Sequence, residues 1–183
     1  MGVGMNSPAA AMTLEVVPFT PDHLEPLVEA LLRVRAADPT YPPPHDAQPT
    51  AEAFAGWLMS EEVLGRWVAV ADGIPVGHIS ITAAHPYLRN AFALLDYPAA
   101  AENGFCEVSK FFTDPVYQGL GVGSALFCPA LAAGRAAGFH PALAVIGTSL
   151  AARTFYAAKG LREVGSFTGI HGLNYVFAED IAS

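Results

Sequence analysis

The segment Gln118–Ser124, which reads Gln-Gly-Leu-Gly-Val-Gly-Ser, is the clearest candidate for chemistry in this chain. It lies between a predicted strand and an alanine-rich stretch that predicts a helix. The first amides of a helix have no intrahelical partner, and the helix dipole favours negative charge there. Glycine also lets phosphate oxygens approach the backbone closely. The segment therefore predicts a phosphate-binding loop, with a glycine-rich turn that binds nothing as the alternative.

Two familiar phosphate-binding patterns do not fit this loop. The P-loop pattern GxxxxGK[ST] needs a lysine after its last glycine, and none follows Gly123. The dinucleotide-binding pattern GxGxxG, counted from Gly119, would place Ser124 at the third glycine. The acidic residue expected about 20 residues later in that pattern is also missing.

The residues around the loop resemble motif A of the GNAT family of N-acetyltransferases. That motif reads [Gln/Arg]-x-x-Gly-x-[Gly/Ala] after a strand that ends in a Val-Asp-Pro-like corner. Here Gln118, Gly121 and Gly123 occupy the motif positions, after the corner Thr113-Asp114-Pro115.

A second stretch, Ala151–Leu161, resembles motif B, whose tail usually reads Ala-x-x-Leu-Tyr-Glu-Lys-x-Gly-Phe, and it begins 33 residues after Gln118. Motif B normally opens with Asn, where this chain has Ser149, a residue that can still cap the helix. Ala157 and Ala158 replace the Glu-Lys pair. The two motifs have the family's order and separation, and the resemblance covers Leu14 to Ala178.

The resemblance implies an α/β GNAT fold, a mixed and strongly twisted sheet whose central strands splay to admit the pantetheine arm of acetyl-CoA. It implies acetyl transfer from acetyl-CoA to a primary amine of a small molecule or a protein, by direct attack in a ternary complex. The family also allows a homodimer. The residues expected to contact acetyl-CoA are Phe111, Phe112, Thr113, Gln118, Gly119, Leu120, Gly121, Val122, Gly123, Ser124, Ser149 and Phe155.

Glu107 is the candidate general base for this chemistry, because an amine with a pKa of about 10.4 must lose a proton before it attacks. Strand alternation predicts that Glu107, Ser109 and Phe111 share one face of the strand before the loop. A carboxylate inside an apolar strand costs free energy unless it is paired or functional. A structural ion pair, a substrate-binding carboxylate, His78 as base and a water chain remain alternatives.

Tyr156 is the candidate general acid for the departing thiolate, because it matches the motif B tyrosine. Its alternative role is packing in the core. The family resemblance places the donor to the developing oxyanion at a backbone N–H around Phe111 to Thr113. His85, His171 and Tyr87 lie in segments that could border the acceptor site.

The elements that position these residues follow from periodicity and from glycine and proline breaks. The segment 83–104 has no clear period and predicts a lid or a hidden short helix. Pro129 is expected to kink the helix that follows the loop. In all, the sequence predicts about seven strands and four helices in a mixed sheet. The predicted strands are 14–19, 66–71, 76–82, 105–113, 142–146, 161–167 and 173–178, and the predicted helices are 22–37, 51–59, the stretch from the loop to about 137, and 150–159.

Length and composition bound the remaining possibilities. The 183 residues fit one domain, 13–183, after a flexible leader, 1–12. The net charge of −8 argues against a nucleic-acid partner, and no apolar run reaches the roughly 18 residues of a membrane span. Cys106 and Cys128 have no metal-binding spacing, which predicts free thiols, no metal site and a cytoplasmic protein.

Two rival functions remain at this point. One is an acyl-CoA sensor that has the same fold but no catalytic activity. The other is an enzyme that binds a different nucleotide in the glycine loop.

Overall fold

The computed structural model describes residues 12–43, 48–95, 97, 103–169 and 172–179. The described residues form one seven-stranded sheet in the order β1-β2-β3-β4-β5-β7-β6, together with five α-helices and two short 3-10 turns. The strands are β1 (Leu14–Pro18), β2 (Gly65–Ala71), β3 (Ile74–Ala83), β4 (Phe105–Thr113), β5 (His140–Ile146), β6 (Leu161–Gly169) and β7 (Gly172–Glu179). The helices are α1 (Leu24–Ala37), α2 (Ala51–Met59), α3 (Pro86–Leu94), α4 (Val122–Ala136) and α5 (Leu150–Ala158).

The sheet is antiparallel except at its centre, where β4 and β5 run parallel. Their ladder is short: it pairs only Phe105–Glu107 with His140–Ala142, although both strands continue well beyond it. The strands therefore separate after Glu107, which confirms the splayed centre that the family resemblance implied.

Helices cover both faces of this sheet. On one face α4 packs through Leu126 and Phe127 against Ile79 and Ile81 of β3. On the other face α1 and α2 form a second core around Phe112. The helix α3 completes that second face by packing against β5 and β7. The gap between β4 and β5 therefore lies between two layers of helices.

The hidden helix in the segment 83–104 is α3, so the described chain has five α-helices rather than the four predicted. Pro86 occupies the first turn of α3, where its missing N–H costs no hydrogen bond. Leu88, Ala91 and Phe92 are the buried residues of α3, at helical spacing. Only nine residues carry this pattern inside a longer proline- and glycine-containing segment, which is why it is difficult to recognise in the sequence.

The other predicted elements are present, with bounds that differ by a few residues. The second predicted helix, 51–59, coincides with α2, and the strand 105–113 coincides with β4. α4 continues without interruption through Pro129. No helix among the described residues is long and apolar enough to cross a membrane. Most of the predicted leader lies outside the described residues.

Candidate active site

The glycine loop joins β4 to α4 through two residues in left-handed conformation. A short 3-10 turn, Pro115–Tyr117, follows β4, and then Gly119 and Gly121 adopt φ values of 78° and 86°. This conformation is costly for any residue with a Cβ, so the glycines permit the turn. A Cβ added at either glycine would find no atom within 4 Å, so the loop surface is open to a ligand.

Five backbone amides of this loop have no acceptor among the described residues. The first acceptor inside the helix is Gly121 O, which binds Ala125 N at 2.9 Å. The N-cap Gly121 offers no side chain to satisfy the amides before it. Such a cluster at the positive end of a helix dipole is a site for an anion. The five amides belong to Gly119, Gly121, Val122, Gly123 and Ser124.

Asp114 fixes the start of the loop. Its carboxylate accepts hydrogen bonds from Val116 N at 3.1 Å and from Arg33 of α1 at 2.8 Å. Its own N–H donates to Val76 O at 2.8 Å, and the residue is 1% exposed. Asp114 had no predicted role beyond its place in the motif. The Asp-Pro corner was the signal, because aspartate often hydrogen-bonds the backbone two residues later.

Lys110 forms a bulge in β4, and this bulge overturns one prediction. Lys110 has a φ of 49°, and the register with β3 shifts between the pairs His78–Phe112 and Ser80–Ser109. β4 therefore carries one residue more than β3 across this stretch, and alternation is reversed beyond it. The prediction that Phe111 shares a face with Glu107 and Ser109 was wrong.

Phe111 instead packs on the α4 side of the sheet, where it joins the two motifs. Its ring lies 5.6 Å from the ring of Phe155 and 5.7 Å from that of Phe127. A Cβ added at Gly123 would lie 3.5 Å from Phe111 and 3.6 Å from Phe155. Three of the predicted cofactor contacts therefore meet at the head of α4.

The other predicted cofactor contacts are less closely grouped. Phe112 turns to the opposite face, where its ring stacks on His78, so only its backbone can face the gap. Thr113 is paired with Gly77 of β3. Leu120 is an exposed residue of the loop. Ser149 occupies the N-cap of α5 as predicted, but its hydroxyl accepts no hydrogen bond from the helix.

Tyr156 lies in α5 on the same side as Phe111. Its ring packs 5.6 Å from Phe127 and 6.0 Å from Phe177. Burial raises the pKa of Tyr156 above its usual range, so the phenol stays protonated at neutral pH. Its hydroxyl makes no hydrogen bond within the described part of the chain. Tyr156 is therefore a neutral phenol whose hydroxyl is not engaged by another described residue.

Glu107 lies on the opposite face, at the last position where β4 pairs with β5. It is 6% exposed and accepts hydrogen bonds from His85 N at 3.1 Å and from the Tyr87 hydroxyl. Burial raises the pKa of Glu107 to about 7, although the bonds from Tyr87 and His85 partly oppose this rise. A carboxyl group with this pKa can exchange a proton near neutral pH.

A second group of polar side chains lies beside Glu107 on this face. Ser109 Oγ donates to Glu61 Oε2 at 3.0 Å, and Lys110 Nζ lies 3.4 Å from the same oxygen. The Lys110 ammonium also lies over the ring of Trp57, at 5.4 Å. Lys110 had the same sequence signal as Glu107, a charge inside an apolar strand, whereas no signal marked Glu61.

The candidate histidines fall in different places. His78 is buried on β3, and burial lowers its pKa to about 4. His85 is exposed, and its ring lies 4.7 Å from that of Tyr87 beside Glu107. His171 lies outside the described residues. Among the described residues no group of three or more His, Cys, Asp or Glu side chains could hold a metal ion.

Comparisons with protein-family models and with solved structures both identify GNAT acetyltransferases. A family model described as Acetyltransferase (GNAT) family matches residues 29–161. A GNAT acetyltransferase from Staphylococcus aureus Mu50 is 18% identical, with a TM-score of 0.64 over 91% of this chain and 98% of its own. A search of curated protein sequences finds no match.

Two further structures have the same fold. Arabidopsis thaliana NAA60 in complex with acetyl-CoA is 18% identical, with a TM-score of 0.66 over 93% of this chain and 100% of its own. A GNAT acetyltransferase from Streptococcus pneumoniae is 20% identical, with a TM-score of 0.65 over 91% of this chain and 98% of its own. At these identities the structures establish the fold, while the activity must be argued from the site.

Proposed function

The chain belongs to the GNAT family of acetyltransferases, and we propose that it moves an acetyl group from acetyl-CoA to a primary amine. The observation that carries this proposal is the cluster of five acceptor-free amides at the head of α4, beside the gap between β4 and β5. An anion site next to an unpaired strand edge suits a ligand that has both phosphates and an extended amide-containing arm.

The residues present fit acetyl-CoA. The amides of Gly119, Gly121, Val122, Gly123 and Ser124 would hold the pyrophosphate, because they have no acceptor among the described residues and lie at the positive end of a helix dipole. The unpaired edge of β4 beyond Glu107 would receive the pantetheine arm. Acetyl-CoA would supply the activated acetyl group as a thioester. Arabidopsis NAA60, which has the same fold, was crystallised with acetyl-CoA, and this supports the assignment.

Glu107 and Tyr156 would divide the proton transfers. Glu107 packs on the α3 side of the sheet and Tyr156 on the α4 and α5 side, so the two groups lie on opposite faces of the sheet. Glu107, with a pKa of about 7, would take the first proton from the cationic amine. The nitrogen would then bond to the acetyl carbon, the carbon–sulfur bond would break, and Tyr156 would give its proton to the leaving sulfur. The second proton that the nitrogen loses as the amide forms would return through water to the Tyr156 phenolate.

The acceptor would approach from the face that bears Glu107. Tyr87 is 40% exposed and donates to the Glu107 carboxylate, so it forms a polar path from solvent to the buried base. The side chain of Glu61, 42% exposed, lies on the same face, where the Lys110 ammonium balances its charge. The ionised form of Glu107 is then the carboxylate at this entrance that favours a cationic amine over an acidic acceptor. The proposed acceptor is therefore a primary amine of a small molecule or of a protein.

Calorimetric titration with acetyl-CoA, desulfo-CoA, ATP and NAD tests the cofactor. Binding of acetyl-CoA and desulfo-CoA, without binding of ATP or NAD, is expected. A thiol-release screen of primary amines then tests turnover. Binding without turnover by any amine would favour the non-catalytic sensor. Binding of ATP or NAD alone would favour a different nucleotide enzyme.

A further inference from the structure

Two consecutive carbonyl groups of the β4 bulge accept hydrogen bonds from side chains of β3. Ser80 Oγ donates to Ser109 O at 3.0 Å, and His78 Nδ1 lies 2.7 Å from Lys110 O. A bulge interrupts the regular ladder between two strands, so its backbone groups need other partners. Here two neighbouring residues of the same face, His78 and Ser80, supply them.

Both donors are enclosed and held in one orientation. His78 is 1% exposed and Ser80 is fully buried. The ring of His78 stacks on Phe112 at 5.8 Å and meets Phe19 edge-on at 6.3 Å. Its Nε2 has no hydrogen-bond partner within the described residues, so the bond to Lys110 O is the polar contact that the structure gives this ring. Because a carbonyl oxygen only accepts, Nδ1 must carry the proton.

The carbonyl direction fixes the next amide. In a trans peptide the C=O and the following N–H point in opposite directions. When Lys110 O is held towards His78, the N–H of Phe111 therefore points away from His78. Lys110 has a φ of 49°, a conformation that a residue with a side chain keeps only when its surroundings impose it. The bonds from Ser80 to Ser109 O and from His78 to Lys110 O hold the peptide groups on both sides of the Lys110 Cα atom, so they can stabilise this conformation.

We propose that His78 and Ser80 are positioning residues for acetyl transfer, which hold the β4 bulge so that the Phe111 amide donates to the thioester carbonyl of acetyl-CoA. The inference rests on the proposed function and adds two residues that neither contact the substrate nor exchange a proton. Their contribution is orientation, because an amide fixed before the reaction stabilises the developing negative charge without reorganisation.

The test measures the hydrogen bond to the thioester carbonyl by infrared spectroscopy. The protein is mixed with acetyl-CoA labelled with carbon-13 at the carbonyl, and the carbonyl band of the bound thioester is recorded by isotope-edited infrared spectroscopy. In wild type the band should lie below that of free acetyl-CoA, because a hydrogen bond weakens the carbonyl. In His78→Leu it should return towards the free position, while the Kd for acetyl-CoA rises by no more than about the tenfold that the loss of one hydrogen bond causes.

His78→Asn is the matched control. The asparagine amide nitrogen stands as far along the side chain as Nδ1 of histidine and can donate to Lys110 O, so the lowered band should be kept. Ser80→Ala should give an intermediate band. The kcat of the variants should follow the band, with a loss of at most about the hundredfold to thousandfold that removal of an oxyanion donor causes.

A band in His78→Leu that equals the wild-type band would overturn the inference. So would a band shift in His78→Asn that is lost as in His78→Leu. If His78→Leu does not fold, Ser80→Ala decides, and an unchanged band and kcat in that variant would overturn the inference. Wild-type protein that fails to bind acetyl-CoA would overturn the proposed function as well, whereas binding with an unchanged band overturns this inference alone.

Discussion

The hydroxyl of Tyr87 donates a hydrogen bond to the buried carboxylate of Glu107, and this bond connects α3 to the centre of the sheet. The bond links the candidate base to α3, the helix that the sequence predicted only as an alternative to a lid. The bond also opposes the effect of burial on the pKa of Glu107. The pKa of Glu107 is therefore raised by burial and lowered in part by hydrogen bonds from Tyr87 and from the backbone of His85.

Replacement of Glu107 by glutamine should remove the pH dependence of acetyl transfer near neutrality. The pKa of Glu107 is about 7, so in wild type the rate should rise as pH increases through about 7 and the carboxylate forms. Glu107→Gln cannot accept the proton and should be slower by about 10²–10⁴. The measurement is the pH profile of kcat/KM with an amine found in the thiol-release screen. Equal profiles for both proteins would assign the base to a water chain or another group.

The same group predicts a pH-dependent stability. The pKa of Glu107 is higher in the folded protein than in the unfolded chain, so the folded state binds this proton more tightly. Its contribution to the free energy of unfolding is therefore full below about pH 4.3 and declines as pH rises through about 7. Urea unfolding between these limits should show a steeper loss of stability for wild type than for Glu107→Gln. Parallel curves would contradict the raised pKa.

Tyr87→Phe should move the activity profile without abolishing it. The hydroxyl stabilises the ionised carboxylate, so its removal should raise the pKa of Glu107 further and shift the rising limb to higher pH. At high pH the rate should approach the wild-type value. If the rate of Tyr87→Phe rises at the same pH as that of wild type, Tyr87 does not affect the pKa of the base. A loss of rate that is equal at every pH would instead indicate a role in acceptor binding.

Much of the scaffold could be predicted because its signals are local. The glycine loop, the strand 105–113 and the helix 51–59 each have a periodicity or a break that is visible in a few adjacent residues. The face of Phe111 could not be predicted, because the bulge at Lys110 reverses alternation and hydrogen-bonds to side chains of β3, which are distant in sequence. The place of Glu61 beside Ser109 and Lys110 is likewise a long-range contact, 48 residues apart in sequence, with no local signal.

Tyr156→Phe should slow catalysis without weakening the fold. The Tyr156 hydroxyl makes no hydrogen bond in the described structure, so its loss leaves no partner unsatisfied. We expect the kcat to fall by about 10² or more and the Kd for acetyl-CoA and the Tm to stay unchanged. Tyr97→Phe is the contrasting control. Its hydroxyl donates to Glu179 O, so that variant should lose stability and keep its kcat. Full turnover by Tyr156→Phe would contradict the role of Tyr156 as general acid and show that its ring has only a packing role.

Gly121→Ala should weaken acetyl-CoA binding, and Gly73→Ala should not. The two glycines have φ values of 86° and 83°, and an added Cβ meets no atom within 4 Å at either position. Alanine is therefore strained by about 1–3 kcal/mol at both sites, for the same backbone reason. At Gly121 the free loop would relax, and binding would have to restore the strained conformation, which should raise the Kd about tenfold. Gly73 lies in the turn between β2 and β3, so its variant should lose similar stability with no change in Kd. Equal Kd values for the two variants, measured by calorimetry, would mean that the amides of this loop do not hold the pyrophosphate.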